Sequence, residues 1–170
     1  MDEKKIREAI EKAIKKAKKR NFKQSVDMAI NLKDVDLKDP SARIDIEVPL
    51  PKGRGKDINI GVFADGEMAL EAESLNAKAI RREDIEKLVK NRRDAKKMAK
   101  KIDIFLAQAD MMPLIGRRLG AILGPRGKMP KPVPPVGNIK QFIDRAKNVV
   151  RVRTKDKPVI HCSIGVEDMN

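Results

Sequence analysis

Arginine and lysine set among glycines and prolines form the most distinctive chemistry in this chain. Residues 112–130 read Met-Pro-Leu-Ile-Gly-Arg-Arg-Leu-Gly-Ala-Ile-Leu-Gly-Pro-Arg-Gly-Lys-Met-Pro, followed by Lys131 and Pro132. A short helical turn carrying Arg117 and Arg118 is expected to end at Gly124. Glycine opens backbone angles closed to other residues and proline fixes φ, so the loop that follows is shaped rather than floppy. Between residues 115 and 132 there are five Lys/Arg and no acid. Such a loop suits a phosphate-bearing surface, through Arg117, Arg118, Arg126, Lys128 and Lys131.

Other chemistries fit less well. A Walker loop needs Gly-x4-Gly-Lys-Ser/Thr, so that lysine and hydroxyl meet phosphate and magnesium. Gly127-Lys128 has Ile122 at the position of the first glycine and Met129 in place of the hydroxyl. Gly53-x-Gly55 lacks the third glycine of a dinucleotide fingerprint and precedes a strand instead of following one. The single histidine, His161, neighbours the single cysteine, Cys162. On a strand adjacent side chains point to opposite faces, so the two cannot form a catalytic dyad. One His and one Cys cannot build a zinc site either. Neither catalysis, a metal nor a cofactor is expected, and Cys162 reads as a small core residue in a reducing cytoplasm.

The charge supports a polyanion partner. Net charge is +14 over 170 residues, and residues 1–23 hold ten Lys/Arg against four acids, a net of +6. Residues 115–132 add +5, and residues 145–157 carry six basic residues against one acid, again +5. The remainder is close to neutral, which places the basic excess in three patches, an electrostatic footprint for nucleic acid. Aromatics are 2% of the chain, with four Phe and no Trp or Tyr, so base stacking on an aromatic sheet is not the main binding mode. No apolar run approaches the roughly 20 residues of a membrane-spanning helix, and the N-terminus has no apolar signal core.

The elements that must carry these residues follow from periodicity. Ile6, Ala9, Ile10, Ala13, Ile14 and Ala17 make one apolar helical stripe, with Asp2 placed to cap its start. Val26, Met28, Ile30 and Leu32 alternate with polar neighbours, and so do Ile44, Ile46, Val48 and Leu50. These two strands are expected to pair antiparallel and cover the first helix. Ile58 to Ala64 is nearly continuous apolar sequence, as in a strand buried on both faces. Helices are expected over 67–75, 83–100 and 139–147, with strands near Ala79-Ile80 and from Ile102 to Ala107. Alternating strands and helices argue for a parallel sheet. From Val149 the pattern returns to strands, with Thr154 to Pro158 as the turn of a basic hairpin. The expected fold is α/β with two domains. A discontinuous α+β domain, residues 1–53 and 149–170, carries a split antiparallel sheet, and an inserted Rossmann-like parallel α/β domain spans 54–148.

The stretch from Met112 to Pro130 closely resembles the signature of the universal L-one family of large-subunit ribosomal proteins, which stand on the stalk beside the tRNA exit site. Arg20-Asn21-Phe22 and Leu50-Pro51-Lys52-Gly53-Arg54-Gly55-Lys56 agree with it, and the wording Gly-Pro-Arg-Gly-Lys-Met-Pro-Lys-Pro-Val-Pro resembles the archaeal branch. The resemblance is collinear from the first helix to residue 170. It implies a cytoplasmic ribosomal protein, monomeric within the ribosome and not associated with a membrane. Its implied partners are stalk ribosomal RNA, exit-site tRNA whose release it assists, and its own messenger, whose translation it represses. The implied ribosomal RNA contacts are Arg20, Asn21, Phe22, Lys23, Ser25, Arg153, Lys155, Lys157 and His161. Phe22 can equally be read as a core residue, and His161 as a satisfied structural histidine. The signature-loop cations are left to nearby RNA or to passing tRNA. Pro51, Gly53, Gly55 and Asn148 are the expected hinge positions. The family also continues past the position of Asn170 with segments that complete the first domain, including a Thr-Met-Gly-Pro motif on its RNA face. The alternative from another class is a cytosolic nucleotide-dependent enzyme on a parallel α/β sheet.

Overall fold

The computed structural model describes residues 2–134, 138–154 and 157–169. In chain order the elements are α1 (Glu3–Lys16), β1 (Ser25–Asn31), β2 (Asp45–Pro49), β3 (Ile60–Phe63), α2 (Gly66–Ser74) and β4 (Lys78–Ile80). They continue with α3 (Arg82–Lys90), α4 (Arg92–Lys101), β5 (Ile104–Gln108), α5 (Met112–Leu123), β6 (Lys131–Val133), α6 (Ile139–Asn148), β7 (Val149–Arg153) and β8 (Val159–Val166). The chain forms two compact units, one of Met1–Lys56 with Val149–Asn170 and the other of Asp57–Asn148.

The second unit is built on a four-stranded parallel sheet in the order β4-β3-β5-β6. Every residue of β3 is buried, because helices cover both faces of the sheet. On one face Phe63, Ile80 and Phe105 pack with Ile85 of α3, Ala95, Met98 and Ala99 of α4, and Ile115 and Leu119 of α5. Phe63 and Phe105 stack there with ring centroids 5.5 Å apart. On the other face Ile60, Val62 and Leu106 meet Ala69 and Ala72 of α2 and Ile139, Ile143 and Ala146 of α6. Small alanines on the helices let them approach the sheet closely, which compensates for the scarcity of aromatic volume.

In the first unit the expected pairing of β1 with β2 is not what forms. β1 pairs antiparallel with β8, and β2 pairs antiparallel with β7. Alternation tells which face of a strand is apolar but not which strand completes its ladder, and both partners here come from the returning segment. Among the described residues a single bridge, Thr154 to Ile160, links the ends of β7 and β8, and residues 155 and 156 of the expected hairpin turn lie outside them. Asp2 caps α1, its carboxylate accepting from the Lys4 amide at 3.3 Å. The apolar stripe of α1 is nevertheless uncovered: none of its residues is buried, and Ile6 is 41% exposed. The strands therefore do not cover the helix. Ile46 and Val48 on β2 are also exposed, and the buried apolar side chains of this unit are Val149, Val150, Ile160, Cys162 and Val166.

Candidate nucleic-acid interface

The segment from Arg20 to Ser25 leaves α1 and enters β1, and the structure holds it by contacts that the sequence reading did not single out. Gln24 is clamped to the end of β8. Its amide and side-chain nitrogens donate to the two carboxylate oxygens of Glu167 at 3.1 and 3.2 Å, and the Glu167 amide donates back to the Gln24 carbonyl at 3.0 Å. The Gln24 side chain also donates to the Lys18 carbonyl at 2.9 Å. Lys23 pairs with Asp168 at 2.6 Å, which holds the Asp168 carboxyl below the usual carboxylate range. Fixed this way, Phe22 stands in solvent at 61% exposure, so the reading of it as a core residue fails. The Arg20 guanidinium lies 5.7 Å from the centroid of its ring, within cation–π range. An exposed aromatic beside a cation matches what stacks on an unpaired base while meeting its phosphate.

His161 lies on β8 opposite Ala29, and Asp27 and Ala29 share that face of the ladder, while Ser25 lies beyond a register shift between Val26 and Asp27, opposite Val166. The histidine is exposed and its side chain makes no hydrogen bond within the described residues, so it is not a satisfied structural histidine. Cys162 points to the buried side, opposite Met28, confirming that the two cannot act together. Arg153 belongs to the other ladder, directly opposite Asp45. Asp45 is engaged by the neighbouring Arg151, whose guanidinium donates two bonds of 2.7 and 2.6 Å. That fork lowers the Asp45 pKa and raises that of Arg151. Arg153 instead lines an open cavity of about 720 Å³ with Lys38, Arg43 and Asp36, a cationic group absent from the sequence reading. Lys157 is exposed beyond it, and Lys155 lies outside the described residues.

The signature loop does something different from what its composition suggests. Its turn is closed by backbone bonds from Arg126 and Lys128 to the Leu123 carbonyl and from Gly127 to the Gly124 carbonyl. Gly127 takes φ +65°, where a side chain would be strained. The Arg126 guanidinium donates to the Ile122 carbonyl at 2.8 Å, capping the end of α5. Lys128 reaches the end of α4 and donates to the carbonyls of Ala99 at 3.0 Å and Ile102 at 2.6 Å. Helix C-termini present unpaired carbonyls and a partial negative charge, and these two cations satisfy them. Of the five signature cations only Arg117 and Arg118, both exposed on α5, have no side-chain partner within the described residues. At the expected hinge, Pro51 occupies a turn closed by the Gly53 amide and the Leu50 carbonyl at 3.0 Å, and Gly53 and Gly55 take φ +70° and +66°. Asn148 is the last residue of α6.

The nucleotide alternative can be tested at the carboxyl ends of the parallel strands, where ligands of such sheets bind. That crevice holds acids. Arg82 pairs with Asp65 at 3.5 Å and Asp110 at 3.8 Å, and its amide donates to Asp65 at 3.1 Å. Asp65 and Glu67 stand at the start of α2, where a phosphate would need amides and positive potential. Among the described residues no cluster of His, Cys, Asp or Glu is placed to hold a metal, and no helix is long and apolar enough to cross a membrane.

The sequence reading also missed a fourth basic patch. Residues 78–101 carry eleven Lys/Arg against four acids, a net of +7 that is masked in the total by acidic residues elsewhere. A unit built on a parallel α/β sheet and a unit of antiparallel strand pairs, each with basic residues in excess, define the class by fold: a two-unit α/β protein of cationic surface. The comparisons with known proteins agree, since residues 14–170 match the model of the ribosomal protein L1p/L10e family, and the chain belongs to that family. Relatives named large ribosomal subunit protein uL1 include those of Archaeoglobus fulgidus, 51% identical with 100% of this chain and 80% of the relative covered, and Methanothermobacter thermautotrophicus, 50% identical with 97% and 78% covered. That of Methanopyrus kandleri is 52% identical over 95% of this chain and 76% of its own length. The family consists of structural ribosomal proteins of the large subunit, not of enzymes.

Proposed function

We propose that this ribosomal protein binds the stalk region of large-subunit ribosomal RNA through its first unit, using Arg20, Asn21, Phe22, Ser25, Arg153, Lys155, Lys157 and His161. The observation that carries the reading is Phe22, held in solvent under the Arg20 guanidinium by a segment clamped to β8. Nothing in the unit's own packing requires a phenylalanine there, whereas an unpaired base gains from stacking on it. Lys23 contributes less charge than its position suggests, because Asp168 shares it. Asp27, on the same face, argues for contacts to sugar and base edges beside the phosphate contacts. The resemblance further supports assistance in releasing deacylated tRNA from the exit site, with Arg117 and Arg118 as the available cations of the signature stretch, and repression of its own messenger by a similar RNA fold. Motion between the units would use the joints at Pro51 to Gly55 and at Asn148.

Phe22→Ala tests the reading directly. Its exposure keeps the stability cost well under the roughly 3–5 kcal/mol of a buried Phe→Ala change. Affinity for a stalk ribosomal RNA fragment, measured by calorimetry, should fall by about 1–3 kcal/mol. Unchanged affinity in the folded variant defeats the assignment.

A further inference from the structure

The outer face of α4 is the strongest unassigned feature of the molecule. Its buried face is Ala95, Met98 and Ala99, with Ile102 at the cap, packed on the parallel sheet. At 3.6 residues per turn this directs Arg93, Lys96, Lys97 and Lys100 outward, with Arg92 and Lys101 on the flanks. All six are exposed. Among the described residues only Lys97 of these has an acid, Asp94 at 3.7 Å, while Asp94 is also bonded by the Asn91 side chain at 2.6 Å. Arg92, Arg93, Lys96, Lys100 and Lys101 make no ion pair among the described residues.

The neighbouring helix shows how this chain builds a merely solvated face. On α3, Lys87 follows Glu83 by four residues and pairs with Asp84 at 3.3 Å, and Lys90 follows Glu86 by four. Acid ahead of base at this spacing stabilises a helix. On α4 the same spacing sets cation against cation, as in Arg92 with Lys96, Lys96 with Lys100 and Arg93 with Lys97. Such pairs destabilise a helix. Two of the cations, Lys100 and Lys101, complement the end of the helix dipole, but Arg92, Arg93 and Lys96 sit in its first half, where positive charge is unfavourable. The arrangement costs the folded chain something, and an external polyanion would relieve it. A row of cations repeating every turn along a rigid helix fits a phosphate backbone, whose charges also recur along a line.

We propose that α4 is a second RNA-binding surface, separate from the signature loop, that grips phosphates of a helical RNA through Arg93, Lys96 and Lys100 with Arg92 and Lys101 at its edges. It reads no sequence, since the deep, narrow major groove of an A-form RNA helix keeps side chains from the base edges. The inference rests on the chain being an RNA-binding ribosomal protein, though not on where the first unit binds.

The test compares two charge-matched variants of the full chain, Lys96→Gln with Lys100→Gln on α4 and Lys87→Gln with Lys90→Gln on α3. Each is titrated with a random-sequence RNA duplex over a range of salt. For the α4 variant the slope of log affinity against log salt should shrink by about 1.4–1.8, two phosphate contacts at about 0.7–0.9 each. For the α3 variant it should stay as in the parent chain. Equal shrinkage in both means that net charge alone acts and overturns the proposal, as does no change in either. Polyglutamate competing as well as RNA for the α4 face, and losing that ability in the α4 variant, would also overturn it by making the partner an acidic protein. Phe22→Ala on a stalk RNA fragment runs alongside. Loss there with no effect of the α4 variant leaves the first-unit reading standing and removes this one, and the reverse result does the opposite.

Discussion

Replacing Lys128 with methionine separates a structural lysine from an RNA ligand. The Lys128 ammonium ties the signature loop to the last turn of α4 by bonds of 3.0 and 2.6 Å to two carbonyls. Hydrogen bonds to a charged group contribute about 1.5–3 kcal/mol each when well shielded. Lys128 is only half-buried, so water recovers part of that on deletion. Methionine keeps most of the aliphatic stem, which limits the packing loss. With the added relief of the helix dipole, about 0.3–1 kcal/mol, the expected loss is about 2–3 kcal/mol. At about 2–4 °C per kcal/mol for a chain of this size, the melting temperature should drop by about 4–12 °C. Circular dichroism during heating and in urea reads this, and a salt titration with RNA is run on the same samples below the transition. The RNA salt slope should be unchanged. Full stability together with a slope reduced by about 0.7–0.9 would refute the reasoning, because it would mean that Lys128 leaves α4 and meets a phosphate.

Gly55→Ala should destabilise the first unit by more than about 1–2 kcal/mol, the cost of a left-handed backbone for an L-residue. It carries φ +66° and an added Cβ would run into Met169 and Val166, so an unchanged urea midpoint would contradict this packing. Gly116→Ala and Gly120→Ala should each stabilise α5 by about 0.5–1 kcal/mol, since a Cβ at either place meets open space. A lower urea midpoint in either variant would show that the helix face is covered. The lowered pKa of Asp45, caused first by the Arg151 bonds, means that its stabilisation is present above the ordinary carboxylate range and is lost as pH falls through the folded value. Half-exposed, the pair contributes at most about 1 kcal/mol. Asp45→Asn should therefore be slightly less stable than the parent at neutral pH and match it at strongly acid pH, and a gap that persists in acid would disprove the linkage.

Much of this protein was determined by its sequence alone, for reasons local to each segment. The nearly continuous apolar run from Ile58 to Ala64 read as a strand covered on both sides, and Asp2, before the first periodic residue, stood where it could cap α1. The long signature around Gly124 to Pro130 pointed to the family that the comparisons show, and the clustered cations pointed to a polyanion partner. Tertiary structure decided which groups are left to do the work. Periodicity reports the apolar face of an element but not its partner, so the pairing of β1 with β8 and of β2 with β7, across more than a hundred residues, had no local signal. Nor did the fate of single cations. Arg126 and Lys128 looked like phosphate ligands until the carbonyl ends of α5 and α4 came within reach, whereas the cations of α4, diluted by acids elsewhere in the charge count, emerged as an unpaired ridge only once the buried face of the helix was known. A cation's availability depends on the acceptors the fold brings to it, and that is a property of packing rather than of residue type.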